Sequence, residues 1–321
     1  MNFDNIDLDD YYRKMGEAEA GLIHIPTHWT DDIAERLQRG GKPWGDKLPW
    51  GKTHDFVRLR PGELSVWGGI SGHKKSLLIG WVMCNLAKSY HAPVAIASLE
   101  MPPGATLLRM AQQCTGGYPS VDETGDFLAW ADDRFAVYDE LRTVNFHRIL
   151  GFVYFCAQAG YRHIVIDSLT KCGISPKDTE KEKEFLDKLQ WAAKTLGCHV
   201  HLIAHIRKPQ HSGEERIPTK FDIRGAGEIT DFADNVFIVW SDKKRAVILF
   251  NQEKYGSHNL SDDELKYLEK SVDQKLIVAK QREGSFEGTI NLYFDKRSLQ
   301  FVAHEGKRHD FSYNTNYETE T

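Results

Sequence analysis

Cysteine is sparse and unpaired in this sequence. Cys84, Cys114, Cys156, Cys172 and Cys198 stand alone, with no C-x-x-C pair among them. Zinc modules and disulfide frameworks both depend on paired spacing, so five reduced thiols and no structural metal are expected. Long apolar runs are missing too. The longest, Leu77 to Ala87, is too short to span a bilayer. The acidic start, Met1 to Tyr12, lacks the apolar stretch of a secretory signal. These absences predict a cytoplasmic protein with no membrane partner. Nor is there an excess of positive charge. Lys and Arg number 41 against 46 Asp and Glu, a formal net charge of -5. A nucleic-acid binder of this composition needs its basic residues gathered locally. No internal repeat is visible.

What is present reads as a globular α/β chain. Of its 321 residues, 41% are hydrophobic and 27% charged, enough for a sizeable core. Residues 1–60 are rich in Trp, Pro, Gly and charge, with little strand signal. One short helix stands out there. Thr30 reads as its N-cap, Asp31 and Asp32 lie in its first turn, Arg36 and Arg39 near its end, and Gly40-Gly41 stops it. Ile33 and Leu37 share one face, and a helix this short needs a partner to dock on.

After Arg60, strands and helices alternate. Strands are expected at Glu63–Gly68, Val94–Leu99, His163–Asp167, His199–Ala204 and Val236–Trp240. Helices are expected at Lys75–Ser89, Phe146–Ala159 and Thr179–Leu196, the last with a Thr179/Glu182 capping box and Gly197 as its stop. This alternation implies a mostly parallel, twisted sheet flanked by helices. Leu276–Lys280, Thr289–Phe294 and Leu299–Val302 read as short antiparallel strands at the C-terminal end. Residues 251–274 form a polar insertion with no clear pattern. The polar stretch 305–321 reads as a disordered tail. The organisation is therefore an N-terminal arm over 1–45, a main α/β domain over 46–304, and the tail.

The strand-to-helix turn Gly69-Ile70-Ser71-Gly72-His73-Lys74-Lys75-Ser76 approximates a phosphate loop. In such a loop, G-x-x-x-x-G-K-S/T, backbone amides cradle phosphates, the Lys reaches the β and γ groups, and the hydroxyl holds magnesium. Lys75 and Ser76 stand where that chemistry needs them. Lys74 replaces a glycine, where a side chain either crowds the loop or points outward. A turn that binds nothing is the alternative. Two strands end in acids: Asp167 is placed to hold magnesium and Glu100 to polarise the attacking water. Taken alone, Glu100 also suits an acid at a helix start.

Arg60-Pro61-Gly62-Glu63-Leu64, the phosphate loop, Ser98-Leu99-Glu100-Met101 and Val165-Ile166-Asp167 follow in a fixed order. Together they resemble the helicase domain of DnaB-type replicative ring helicases, notably the helicase half of bacteriophage primase–helicases and Twinkle. The resemblance spans roughly residues 46–304. It implies a RecA-like P-loop NTPase core that uses ATP or another NTP with Mg2+. Leu202-Ile203-Ala204-His205 resembles the strand whose terminal residue senses the γ-phosphate. Asp222 to Gly227 with Ala233-Asp234-Asn235 resembles the single-strand-binding segment. Lys280-Gln281-Arg282 resembles the K-x-R element whose Arg reaches the neighbouring subunit's ATP. By that resemblance Glu100, Lys75, His205, Arg282 and Lys280 are catalytic. Gly69, Ser71, Gly72, His73, Lys74, Lys75 and Ser76 hold nucleotide, and Ser76 and Asp167 hold the metal.

The implied function is an ATP-driven DNA helicase, moving 5′–3′ as a ring, with hexamer the expected size and ATP sites between subunits. The Ile33/Leu37 helix would be the linker helix that docks on the next subunit. Primase cysteine pairs are lacking, so a separate primase and polymerase are implied partners. Single-stranded DNA would meet a basic loop formed by Arg207, Lys208, Lys220, Arg224 and Gly225. No aromatic stacking platform is expected there. Two other readings remain open: a RecA-like recombination or repair ATPase, and a nucleotide-dependent DNA-binding scaffold whose hydrolysis Lys74 weakens.

Overall fold

The computed structural model describes residues 22, 24–40, 42–175, 177–206 and 216–311. The chain divides into two compact units, Met1–Trp44 and Gly45–Thr321. In the first, helix α1 (Thr30–Gln38) follows a short 3-10 turn at Pro26–Trp29. Thr30 lies inside the helix rather than capping it, and its hydroxyl donates to the Thr27 carbonyl at 2.7 Å. Ile25, Trp29, Ile33 and Leu37 recur every four residues, so they form one stripe. All four are at least half exposed.

The second unit is built on two sheets. A small one pairs β1 (Asp46–Lys47) with β2 (Arg58–Leu59). The main sheet has nine strands: β3 (Leu64–Gly69), β4 (Val94–Ser98), β5 (Phe135–Tyr138), β6 (His163–Asp167), β7 (His199–His205), β8 (Asn235–Ser241), β9 (Gln274–Gln281), β10 (Gly288–Phe294) and β11 (Phe301–Val302). Their order is β11-β10-β9-β8-β3-β7-β6-β4-β5. The stretch from β8 to β5 is parallel, while β9, β10 and β11 extend it antiparallel. This is the mostly parallel sheet, with antiparallel strands at the C-terminal end, that the alternation predicts.

Helices cover both faces. α2 (Lys75–Tyr90), α3 (Pro103–Thr115) and α4 (Val121–Ala131) share one core with Trp67 and Phe237, whose rings stack at 4.3 Å. α5 (Phe146–Gln158), α6 (Thr179–Leu196) and α7 (Ala226–Phe232) share the other. Leu78, Trp81, Val82, Met83 and Leu86 are buried along α2. A helix apolar nearly all round belongs in an interior. The α6 start differs from the expected capping box. Asp178 is the cap, accepting from the Lys181 amide at 3.2 Å, and Glu182 turns inward and is buried. The region 251–274 is largely helical, forming the end of α8 (Lys243–Tyr255) and α9 (Asp262–Lys270). Within the expected tail, Gln300 donates to the His309 carbonyl and Phe311 is buried against the core. Residues 312–321 lie outside the described residues.

The starts of β3, β6 and β7 share a buried polar cluster. The Trp67 indole N–H donates to His201 Nδ1 at 3.2 Å, so that nitrogen is an acceptor. His201 Nε2 then carries the proton and donates to His163 Nδ1 at 3.1 Å, leaving His163 Nε2 to donate to Asp46 at 2.9 Å. His199 donates from Nδ1 to the Arg60 carbonyl and accepts from Ser65. His163, His199 and His201 are the one group of potential metal ligands in this geometry among the described residues. A metal on His201 Nε2 would move its proton to Nδ1, against the indole N–H.

Burial holds His199 and His201 well below the usual histidine range. The unfolded chain therefore binds more protons below about pH 6.5, and stability falls as pH drops through that value. Two such groups give a slope of about 2.7 kcal/mol per pH unit once well below it. Thermal melts from pH 7.5 to 5 are expected to show a midpoint that declines ever more steeply below pH 6.5. A flat profile would contradict this account of the cluster.

Candidate active site

The C-terminal ends of β3, β4, β6 and β7 converge on one cavity of about 260 Å3. The turn Ile70–Lys74 joins β3 to α2 and presents its backbone at the N-terminus of a long helix, an arrangement suited to anions. Ser71, Gly72, Lys74, Lys75 and Ser76 line the cavity with Glu100, Asp167 and His205. Residues separated by up to 134 positions in sequence thus meet as the ordered strands predict. Gly69 is set by close approach: a Cβ there would lie 2.6 Å from the Val239 carbonyl oxygen. His73 turns away from the cavity. Its Nδ1 accepts from the Ser241 amide at 2.9 Å, fixing the loop to β8, and burial with neighbouring lysines lowers its pKa to about 4.

Lys74 adopts φ 64° and ψ 27°, a left-handed conformation that glycine takes readily. The anomaly in the sequence is therefore a lysine doing a glycine's backbone task, at a cost of roughly 1–2 kcal/mol. Its ammonium sits 4.7 Å from the Phe294 ring centroid, so the tip of the side chain rests on β10. Replacing it with glycine removes the strain and the ring contact together. Lys74→Gly is expected to change the ATP turnover number less than about threefold, under 1 kcal/mol in barrier. A rescue above tenfold would instead identify the loop as impaired.

Lys75 is 6% exposed and its ammonium donates to the carbonyls of Gly69 at 2.8 Å and Ile70 at 3.1 Å. It also lies 3.4 Å from His205 Nδ1. His205 Nε2 in turn donates to Glu100 at 3.0 Å. Ser168 donates to the same Glu100 oxygen at 2.5 Å. The His205 bond, reinforced by Ser168, lowers the Glu100 pKa to about 2. A carboxylate that stays ionised so low is a poor proton acceptor but a fixed hydrogen-bond acceptor, suited to aligning a water molecule. Burial raises Asp167 to about 6, and the Ser76 hydroxyl donates to it. These two neighbouring oxygens are hard donors of the kind magnesium takes.

The residues expected to meet DNA are only partly assembled here. The backbone N–H of Arg224 donates to the His205 carbonyl at 3.2 Å, and Ile223 bridges to Ile206. The segment 216–224 is thus tied to His205 through the main chain. Lys220 donates to the Ala279 carbonyl at 3.1 Å. Gly225 has a packing reason beyond any ligand: at φ 70°, a Cβ would fall 1.4 Å from a Glu182 oxygen. Arg207 and Lys208 lie outside the described residues. Phe221, an aromatic ring 73% exposed, also lies within this segment. Arg109, which sequence reasoning missed, lines the same cavity from α3.

Lys280 and Arg282 are elsewhere. Lys280 donates to the Ala233 carbonyl at 2.7 Å, at the C-terminus of α7. Arg282 pairs with Asp234 at 3.3 Å and is level with Leu64, at the opposite end of the sheet from the loop. Five strand residues separate those levels, roughly 16 Å.

Known proteins match this chain over most of its length. The family described as DnaB-like helicase C terminal domain matches residues 137–303, and an AAA domain family matches 57–211. The Twinkle homolog protein, chloroplastic/mitochondrial, of Arabidopsis thaliana is 26% identical over 241 residues, 68% of this chain. This chain corresponds to a third of that relative's length (33%). Among solved structures, the ATPase domain of G40P superposes with a TM-score of 0.68 at 16% identity, covering 88% of this chain and 99% of that one. A DnaB-like replicative helicase, described with its interactions with primase, gives 0.63 at 17%, covering 87% and 67%. The fold is the RecA-like fold of those helicase domains.

Proposed function

The chain belongs to the family of DnaB-like helicase C-terminal domains, and on that premise we propose that it is the ATP-hydrolysing motor of a replicative DNA helicase. It translocates 5′–3′ on single-stranded DNA as a ring, with hexamer the expected size. The observation that carries this reading is the junction at His205. One residue touches Lys75 and Glu100 through its ring and the DNA-directed segment through its carbonyl.

Bound ATP with Mg2+ would supply the phosphoryl group and a cation that offsets its charge. Ser76 and Asp167 would hold that ion, while Lys75 and the loop amides neutralise phosphate charge. Glu100 orients the water. His205 changes partners when the phosphate is lost, and its carbonyl moves the Arg224 backbone with it. Arg282 acts on the adjoining subunit's site, since it lies too far from the loop of its own chain. Such head-to-tail contacts are heterologous and close into rings. The exposed Ile25/Trp29/Ile33/Leu37 stripe suits a linker helix that docks on a neighbouring subunit. Priming and synthesis fall to separate proteins.

Unwinding of tailed duplexes tests the reading. A duplex with a single 5′ tail should be opened with ATP, and one with a single 3′ tail should not. Opening of neither, by a protein that turns over ATP, would remove the helicase assignment.

A further inference from the structure

A second cavity, of about 880 Å3, lies beside the phosphate loop, walled by the end of β8, by α8 and α9, and by the start of β9. Four lysines line it: Lys243, Lys244, Lys270 and Lys275. In a chain of net charge -5 this is a marked local concentration. Its two carboxylates are already engaged. Asp242 caps α8 and accepts from the Tyr267 hydroxyl, and Glu264 caps α9 through Ser261. Each faces a helix N-terminus, which offsets its charge.

The cavity also has aromatic walls. The Lys244 ammonium lies 4.3 Å from the Tyr267 ring centroid and the Lys275 ammonium 5.4 Å from that of Trp240. Val247, on the same wall, is 58% exposed. Two connections give the cavity a context. Lys243 donates to the Gly72 carbonyl of the phosphate loop at 2.7 Å. Ile217, three residues before Lys220 in the segment expected to meet DNA, forms part of its lining.

We propose that this lysine cleft is a binding site for single-stranded nucleic acid, extending the path that begins at Lys220 and Arg224. The inference rests on the reading of the chain as a DNA motor. Lysines at separate points along an open channel suit successive backbone phosphates, and the apolar walls suit sugar and base faces. Such contact is sequence-neutral. Because Lys243 touches the loop, occupancy of the cleft bears on nucleotide turnover through one side chain.

The test uses the full chain and a fluorescent oligothymidylate, with affinity measured across a salt series. Each phosphate contact on a single strand contributes about 0.7 to the slope of log affinity against log salt. The double variant Lys244→Ala/Lys270→Ala is expected to lower that slope by about 1.4 and to weaken binding at low salt. Its ATP turnover without DNA should match the native chain, because neither residue touches the phosphate loop. Lys244→Arg/Lys270→Arg should retain the native slope. A double alanine variant with native slope and affinity overturns the cleft while leaving the DNA reading intact. A native chain that binds no oligothymidylate overturns both.

Discussion

Lys75→Ala is expected to abolish ATP turnover, lowering it at least 10²–10³-fold, the loss typical of removing one preorganised group aimed at developing charge. The ammonium is buried and lies within 3.4 Å of three acceptors, the Gly69 and Ile70 carbonyls and His205 Nδ1, and both Lys75 and His205 border the cavity. It is therefore fixed before any phosphate arrives, and no neighbouring cation has the same placement. Lys75→Arg should rescue little, because a planar fork cannot replace a point charge between two carbonyls. Thermal melting separates this from misfolding: a variant that melts like the native chain yet hydrolyses nothing has lost chemistry. Survival of turnover in Lys75→Ala would displace the site from this loop.

Arg282→Ala is expected to remove turnover by about 10³-fold or more while nucleotide binding persists, as for an arginine finger supplied in trans. The reason is topological. Arg282 follows β9 at the end of the sheet that β3 enters, and the phosphate loop lies where β3 leaves. Mixing makes the prediction sharp. Arg282→Ala chains retain Lys75, and Lys75→Ala chains retain Arg282. Equimolar mixtures of two inactive proteins should therefore regain turnover at junctions where an intact loop meets an intact arginine. A merely structural role, through the Arg282–Asp234 ion pair, would give no recovery on mixing.

The phosphate loop and Asp167 were legible as strand-end features with a local signature, whereas Glu100 alone also suited a helix start and His205 was assigned only through the resemblance. Strand alternation carried the parallel sheet for the same reason. α3 was not among the expected helices, although Glu100 suited a helix start and proline is tolerated in a first helical turn. α4 carried its signal openly, in the Ser120/Glu123 capping box. Asp178 and Thr179 are both good caps, and only the bond to the Lys181 amide separates them. The histidine cluster draws on Asp46, Trp67, His163, His199 and His201, so no local window contains it. The conformation of Lys74 could be suspected from the missing glycine, but the direction of its side chain depended on Phe294 arriving from β10. The exposure of Phe221 and the far-edge position of Arg282 both require the folded chain.

The central claim is that the His205 junction couples phosphate chemistry to DNA. It is tested most directly by ATP turnover of the native chain with and without single-stranded DNA, in parallel with His205→Ala. The account predicts turnover that DNA stimulates in the native protein and that DNA no longer alters in the variant. Native turnover indifferent to DNA, or stimulation undiminished without His205, would contradict it.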